Sequence, residues 1–330
     1  MSFKPVSTQV DFIQQEHEIL EFWKATQAFS KLRKLRKNAP HWSFIDGPIT
    51  ANNPMGAHHA WGRSYKDLWH RFWTMRGYEA RYQNGFDCQG LWVEVEVEKE
   101  KGFKSKREIE DYGLAQFVIE CKARVLTYAA KQTEQSIRLG YWMDWNDPDV
   151  LRDLATKLKE DPQQTVTVNG PLGPVTGTVE HVVGLLGMPE MGGSYFTFST
   201  ENNYTIWTFL KKVWEKGWLY KGTDVMPWCS RCATAISQHE IVTDGYQDLT
   251  HDAVVVRFPL RGREKEALLV WTTTPWTLTS NVAAAVGAAL TYVKIQAADG
   301  WSYYLAEGTL KSVVKGKYEI VERLKGADLL

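Results

Sequence analysis

The strongest constraint on this fold is a succession of strand, loop, helix and strand within about forty residues. His41 to Asp46 alternates as a strand and is broken by Gly47-Pro48. After the loop Ala51-Asn52-Asn53-Pro54-Met55-Gly56, apolar residues recur at Trp61, Tyr65, Leu68 and Phe72, which is one face of a helix. Gly77 ends that helix, and Glu79 to Gln83 reads as a second strand, stopped by Asn84-Gly85. A βαβ unit of this kind predicts a right-handed crossover and a parallel sheet.

Composition narrows the function classes. Lys+Arg 39 against Asp+Glu 39 leaves no chain-wide basic field to draw the protein onto nucleic acid or anionic lipid, so a polyanionic partner needs a local patch. Hydrophobic content of 44% in 330 residues excludes disorder and small disulfide scaffolds. Four cysteines, Cys88, Cys121, Cys229 and Cys232, are too few and too unevenly placed for a disulfide framework, which favours a reducing compartment. The chain shows neither a run of eighteen apolar residues nor a signal peptide, and a cytoplasmic protein without a membrane partner is expected. Fifteen tryptophans suit a large core or flat stacking sites, and the core is expected to take most of them.

Residues 8–37 read as an amphipathic helix ending in the basic tract Lys31 to Lys37, a solvated end. Ser105-x-x-Glu108 is a capping box opening a long helical pattern that runs through Phe117, Cys121, Val125 and Tyr128 to Gly140. Residues 147–193 change character, with a short helix, a hairpin over 165–177 and then Gly192-Gly193, and read as an inserted piece of structure. A helix from Asn202 leads to Cys229-Ser230-Arg231-Cys232, and beyond Ala253 the chain turns β-rich.

Five places carry candidate chemistry. A loop after the first strand, with His58 and His59 opening the next helix, suits phosphate, because free N–H groups and the helix dipole point at the ligand and an imidazolium adds charge. Solvent-facing or capping histidines are the plainer reading. Asp87 follows the second strand at its carboxyl end, where it can pair with an ammonium group or simply form an Asx turn. Glu94 to Glu100 alternates in charge and reads as a solvated face rather than an acidic cluster. Cys229 and Cys232 supply half of a tetrahedral zinc knuckle, with the remaining ligands expected from His239, His251, a partner or residues beyond Leu330, and a redox disulfide lacks the usual βαβ flanks. The row Trp271 to Asn281 offers hydroxyls and a carboxamide that can hold an ester and a water, or else is a β-branched edge strand interrupted by Pro275-Trp276.

Together these blocks resemble the class I isoleucyl-tRNA synthetases. The matching pieces are Phe22-Trp23, Asp46-Gly47-Pro48, Gly56-Ala57-His58-His59 with Lys66-Asp67, and Gly85-Phe86-Asp87-Cys88-Gln89-Gly90. Val93 to Lys99, Arg138-Leu139-Gly140, Asp144-Trp145, Trp228-Cys229-x-x-Cys232 and Trp271 to Asn281 continue in family order. Thr272-Thr273-Thr274-Pro275-Trp276-Thr277 separates the isoleucyl reading from the valyl and leucyl relatives, which typically carry Thr-Thr-Arg-Pro there.

The resemblance implies an α/β fold with a parallel Rossmann-like nucleotide-binding half-domain and an inserted β-rich editing domain. It divides the chain into an amino-terminal helical segment (1–40), the first half of the catalytic domain (41–146), an atypical insertion (147–193), a helical and zinc-knuckle connection (194–250) and an incomplete editing domain (251–330). It implies ATP-dependent activation of isoleucine, with Mg2+, transfer to tRNA(Ile) and hydrolysis of valyl-tRNA by a protein that is a monomer at full length. Pro48 and Asp87 would line the amino acid pocket; Gly56, His58 and His59 would bind ATP, with His58 and His59 acting in catalysis. Thr272, Thr273, Thr274, Trp276 and Asn281 would form the editing site, and Cys229 and Cys232 one pair of zinc ligands.

The chain departs from the family at several points. Gly56 and His58 stand where the signature has histidine and glycine, Gln89 replaces a histidine and Thr279 a proline. No Lys-Met-Ser-Lys-Ser loop follows, and an amino-terminal piece of a longer enzyme, inactive in adenylate formation by itself, is expected. A truncated, non-catalytic paralogue binding tRNA or aminoacyl esters, and a valine enzyme, are the alternatives.

Overall fold

A computed structural model describes residues 8–44, 47–238, 240–241 and 248–329. The chain divides into two compact units, Met1–Ser237 and Gln238–Leu330.

The first unit contains the expected parallel crossover. His41–Trp42 pairs in parallel with Glu79–Ala80, and the helix Ala57–Met75 lies between them in sequence. A second parallel sheet has the order Ile49–Thr50, Gly85–Asp87, Tyr195–Phe196. Gly85, read from sequence as a strand stop, instead opens the middle strand. A Cβ there would overlap the Tyr195 ring, so only glycine lets the two strands approach. Phe86 and Phe196, fully buried, tie this sheet into a core shared with Val125, Leu126 and Ala129 of the helix Leu114–Arg138.

On the helix Ala57–Met75 the sequence stripe is real, but it faces outward. Trp61, Tyr65, Leu68 and Phe72 are exposed, while Arg63, Asp67, His70 and Thr74 form the buried face. Three of those polar groups find partners inside: Asp67 accepts from the Trp142 backbone N–H at 2.9 Å and from Arg71 at 2.6 Å, His70 lies 2.8 and 3.0 Å from the Lys66 and Arg81 carbonyls, and Thr74 meets the Tyr82 hydroxyl at 2.6 Å. The tryptophans follow suit, since Trp61, Trp69, Trp92, Trp207, Trp214, Trp218, Trp228, Trp271 and Trp276 are all exposed, nine of the fifteen. The expectation that the core absorbs most of them is overturned.

The charge alternation of Glu94 to Glu100 is also not a solvated face. It lies on the helix Leu91–Lys101, where 100° per residue carries every second position around the cylinder, so Glu98 turns inward with Val93 and Val97. Its carboxylate is fully buried between Lys106 at 2.6 Å and Arg231 at 2.8 Å. Burial would raise its pKa, but the two cations outweigh that and hold it below the usual carboxylate range. Glu98→Gln is expected to cost about 1–3 kcal/mol in denaturant unfolding, since the buried carboxylate is lost while Lys106 keeps Glu94 at 2.5 Å and Arg231 is partly solvated. The depressed carboxyl stabilises the fold above its unfolded-state value, so that contribution should fade as the pH falls below it. A loss under about 1 kcal/mol would show a solvated pair.

The capping box does not form: Lys106 is the N-cap of the helix Arg107–Tyr112 and makes no side-chain cap bond, while Glu108 Oε1 accepts from the Lys104 N–H at 3.1 Å and the Ser105 hydroxyl at 3.3 Å. The helical pattern after it is interrupted by Gly113, at φ +104°, between Arg107–Tyr112 and Leu114–Arg138. Residues 147–193 contain the helix Pro148–Glu160, the antiparallel hairpin Thr165–Gly170 with Gly173–Thr178, and the helix Val179–Gly184. Leu151, Leu154, Leu158, Val166, Val182 and Leu186 enter the same core as Phe86, so this piece is built into the first unit rather than set apart.

The second unit is a five-stranded sheet in the order Val254–Pro259, Glu266–Thr272, Ser302–Ala306, Thr291–Ala297, Tyr318–Lys325. Only the contact between the second and third of these is parallel. Ala267, Val293, Ile295, Tyr303, Leu305 and Leu310 form its core.

Candidate functional site

Asp87 ends the middle strand of the three-stranded parallel sheet, at the carboxyl edge where such sheets leave room for ligands. Its neighbours there are Thr50, at the end of one flanking strand, and Thr197, just past the other. Thr50 Oγ1 donates to Asp87 Oδ2 at 3.1 Å. Thr197 Oγ1 reaches Asp87 Oδ1 only at 3.5 Å and Gln89 Oε1 at 2.6 Å, and its single proton goes to the closer acceptor. Oδ1 therefore keeps acceptor capacity for an incoming cation. The carboxylate takes hydroxyl donors, not the backbone N–H of an Asx turn. Pro48 is half-buried at the start of the strand Ile49–Thr50, and the Lys66 ammonium, pushed down to about 8 by burial, lies 3.4 Å from the Gly47 carbonyl. Asp46 lies outside the described residues.

Three side chains of the helix Leu114–Arg138 hold the loop that joins this edge to the next helix. Arg124 donates to the Asn52 carbonyl at 2.7 Å, Gln132 to those of Thr50 and Asn53 at 3.0 and 2.9 Å, and Gln135 Oε1 accepts from the Met55 N–H at 2.7 Å. The helix then starts at Gly56, its N-cap, whose N–H is taken by His59 Nδ1 at 3.2 Å. His59 is thus a capping group, and His58 is exposed and packed on it, ring centroids 3.8 Å apart. Burial, then the neighbouring His58 and Arg63, lower the His59 pKa, so the expected imidazolium is disfavoured at this position. Beside the helix end lies a recess of about 270 Å³ lined by Met55, Gly56, Ala57, Ala60, Gln135, Arg138 and Leu139. Free N–H groups and a helix dipole at such a recess suit a phosphate group.

Cys229 and Cys232 sit on a tight hairpin formed by Trp228–Cys229 and Thr234–Ala235. The Cys232 N–H donates to Cys229 Sγ at 3.3 Å, which lowers the Cys229 pKa, while burial and the neighbouring thiolate raise that of Cys232. Two thiolates on one turn fit half of a tetrahedral zinc site. Among the described residues no group of three or more His, Cys, Asp or Glu side chains gathers. His239 lies outside them, and His251, exposed in the second unit, faces the Asp252 carbonyl at 3.0 Å.

In the second unit Thr272 ends a strand, Thr274 precedes the 3-10 turn Pro275–Ser280, and Asn281 follows that turn. Thr272 Oγ1 accepts the Thr274 N–H at 3.0 Å and lies 3.3 Å from the Thr274 hydroxyl. Asn281 lines a cavity of about 660 Å³ together with Trp271 and Ala283 to Ala285, whereas Thr272, Thr273, Thr274 and Trp276 do not line it, and Trp276 is exposed. The five residues are neighbours along the chain but are not gathered around one cavity.

Thr50, Thr197, Arg124, Gln132, Gln135 and Arg63 were not singled out in the sequence. Their partners lie far along the chain, Thr197 being 110 residues from Asp87 and Gln132 82 from Thr50, and no local pattern marks them.

The chain matches the family described as tRNA synthetases class I (I, L, M and V) over residues 18–164 and 183–317. The stretch passed over is mainly the hairpin Thr165–Thr178. Among relatives, the Isoleucine--tRNA ligase of Clostridium tetani is 34% identical over 328 residues, covering 99% of this chain and 27% of the relative. Those of Pyrococcus horikoshii and Thermus thermophilus are 35% and 37% identical, covering 95% and 90% of this chain and 26% and 24% of the relatives. The chain thus spans about a quarter of the length of the curated relatives it matches.

Proposed function

Because this chain belongs to the class I tRNA synthetases, we propose that it carries the amino-acid end of the active site of an isoleucine--tRNA ligase. The observation that carries this reading is Asp87, a half-buried carboxylate with a free acceptor position at the carboxyl edge of a parallel sheet, one loop away from a helix N-terminus. Asp87 would hold the substrate ammonium beside Pro48, while Gly56, His58, His59 and the first N–H groups of the helix would hold the ATP phosphates. A carboxylate oxygen of isoleucine attacks the α-phosphorus and pyrophosphate leaves; a ribose hydroxyl at the 3' end of tRNA(Ile) then attacks the acyl carbon and AMP leaves. The chain's own residues orient the amino acid and stabilise charge on the leaving group; Mg2+ would neutralise the phosphates. A transition state spread over three phosphates also needs cations from the opposite side, so the 330 residues alone are expected to bind better than they turn over.

The exposed faces Trp61 to Phe72 and Trp207 to Trp228 fit the same reading, as apolar surfaces that other parts of a full-length ligase would cover. The second unit, with Thr272, Thr273, Thr274, Trp276 and Asn281, is assigned to hydrolysis of valyl-tRNA, and Cys229 with Cys232 to half of a zinc knuckle.

Non-hydrolysable aminoacyl-adenylate analogues test the central reading. The chain should bind the isoleucyl analogue about tenfold or more tighter than the valyl one, a methylene being worth 1–3 kcal/mol. Failure to bind any, or a preference for another side chain, would remove the assignment.

A further inference from the structure

Arg63 is an anomaly of the first unit. It is 2% exposed, and among the described residues no carboxylate lies within ion-pair distance of it. Nη1 donates to Ser136 Oγ at 2.7 Å and lies 3.7 Å from Met55 Sδ, while Nε and Nη2 have no hydrogen-bond partner. The guanidinium rests on the Phe86 ring, 5.5 Å from its centroid. A buried cation without an anion is an arrangement a fold seldom keeps for stability, since a well-packed apolar side chain would serve better. Such groups concentrate at sites that use their field.

Its place in the helix shows where that field falls. Arg63 is one turn past His59, on neighbouring positions of one helix face. His59 has its tautomer set by geometry: Nδ1 accepts the Gly56 N–H, so the ring proton sits on Nε2, and a second proton at Nδ1 would face another N–H and break the cap. The other charged or titratable groups around this helix end are the His58 ring stacked on His59, Arg138 at the recess, paired with Glu16 at 2.9 Å, and the Tyr141 hydroxyl bound to the Ala60 carbonyl at 2.7 Å. None places an uncompensated negative charge there.

We propose that Arg63 is a positioning residue that acts through His59: its unpaired buried charge disfavours a second proton on the imidazole, whose single proton the Gly56 cap already fixes on Nε2, so the helix end offers phosphate a fixed donor. This rests on the reading that the helix end receives phosphate, and it assigns the positive potential to a group that does not titrate near neutrality. The direction of the His59 shift agrees, with burial as the largest cause and His58 and Arg63 adding to it.

NMR titration of the labelled 330-residue chain tests the proposal, with the His59 resonance assigned by His59→Gln. Arg63→Met should raise the His59 midpoint by about one pH unit, the size of a nearby charge's effect in a partly desolvated site. Arg63→Lys, which keeps the charge, should leave it within a few tenths. Should Arg63→Met lose its fold, Arg63→Gln carries the same prediction while retaining a donor toward Ser136. An unchanged midpoint in the neutral variants, or an equal rise in Arg63→Lys, would overturn the proposal. The titration uses no ligand, so it stands apart from the adenylate-analogue binding that tests the function itself.

Discussion

Asp87→Asn is expected to weaken binding of the isoleucyl-adenylate analogue about 10³-fold, with a melting temperature within a few degrees of the parent. The effect is large because the substitution removes the counter-charge of the ammonium in a half-buried site and leaves the ammonium to be desolvated unpaired. The fold should be spared because asparagine keeps the size of the side chain and an oxygen for the Thr50 hydroxyl, now 3.1 Å from Asp87 Oδ2. Thr50→Val supplies the comparison: it removes only the hydroxyl that orients the carboxylate, and should cost about tenfold, the worth of one hydrogen bond to a charged group. Calorimetric titration with the isoleucyl analogue measures both. A loss below tenfold in Asp87→Asn would move the ammonium site elsewhere.

Local rules made the parallel crossover legible. Alternation at His41, apolar spacing from Trp61 and the stop at Gly77 reflect backbone geometry, which acts over a few residues. They put Asp87 after the strand at Glu79, whereas it ends a separate strand, Gly85–Asp87, whose opening glycine reads locally as a stop. The orientation of the helix Ala57–Met75 was not legible, because its inward face is polar and meets partners such as Trp142 and Ser136 that lie 75 and 73 residues away. Periodicity shows that a helix has two faces; it does not say which one a core will cover when the buried polar groups are paired. Glu98 misled for a related reason: a period-two charge pattern suggests a strand or a solvated surface, yet its segment is helical and its second cation, Arg231, lies 133 residues away. The hydroxyl row from Trp271 to Asn281 was legible as a strand end with a turn, but its division between a cavity wall and the surface depends on how the sheet curls.

In the full-length enzyme, Thr273→Ala combined with Asn281→Ala is expected to slow deacylation of valyl-tRNA about 10²-fold while leaving affinity for the isoleucyl-adenylate analogue unchanged. These two residues are chosen because, of the five assigned to editing, Thr272 and Thr274 already have their hydroxyls engaged with each other. Thr272 Oγ1 accepts from the Thr274 N–H and contacts the Thr274 hydroxyl, and the Thr277 hydroxyl is spent on the Thr274 carbonyl at 2.8 Å. Thr273 and the Asn281 carboxamide make no such side-chain bond among the described residues, and Asn281 faces the cavity of about 660 Å³. Both keep hydrogen-bonding capacity for an ester and a water. Thr272→Val should behave differently, loosening the turn Pro275–Ser280 and lowering the melting temperature of the second unit, because it removes an acceptor for a backbone N–H. Normal deacylation by the double variant, alongside an unstable Thr272→Val, would make the row a structural strand end and remove hydrolysis from these residues.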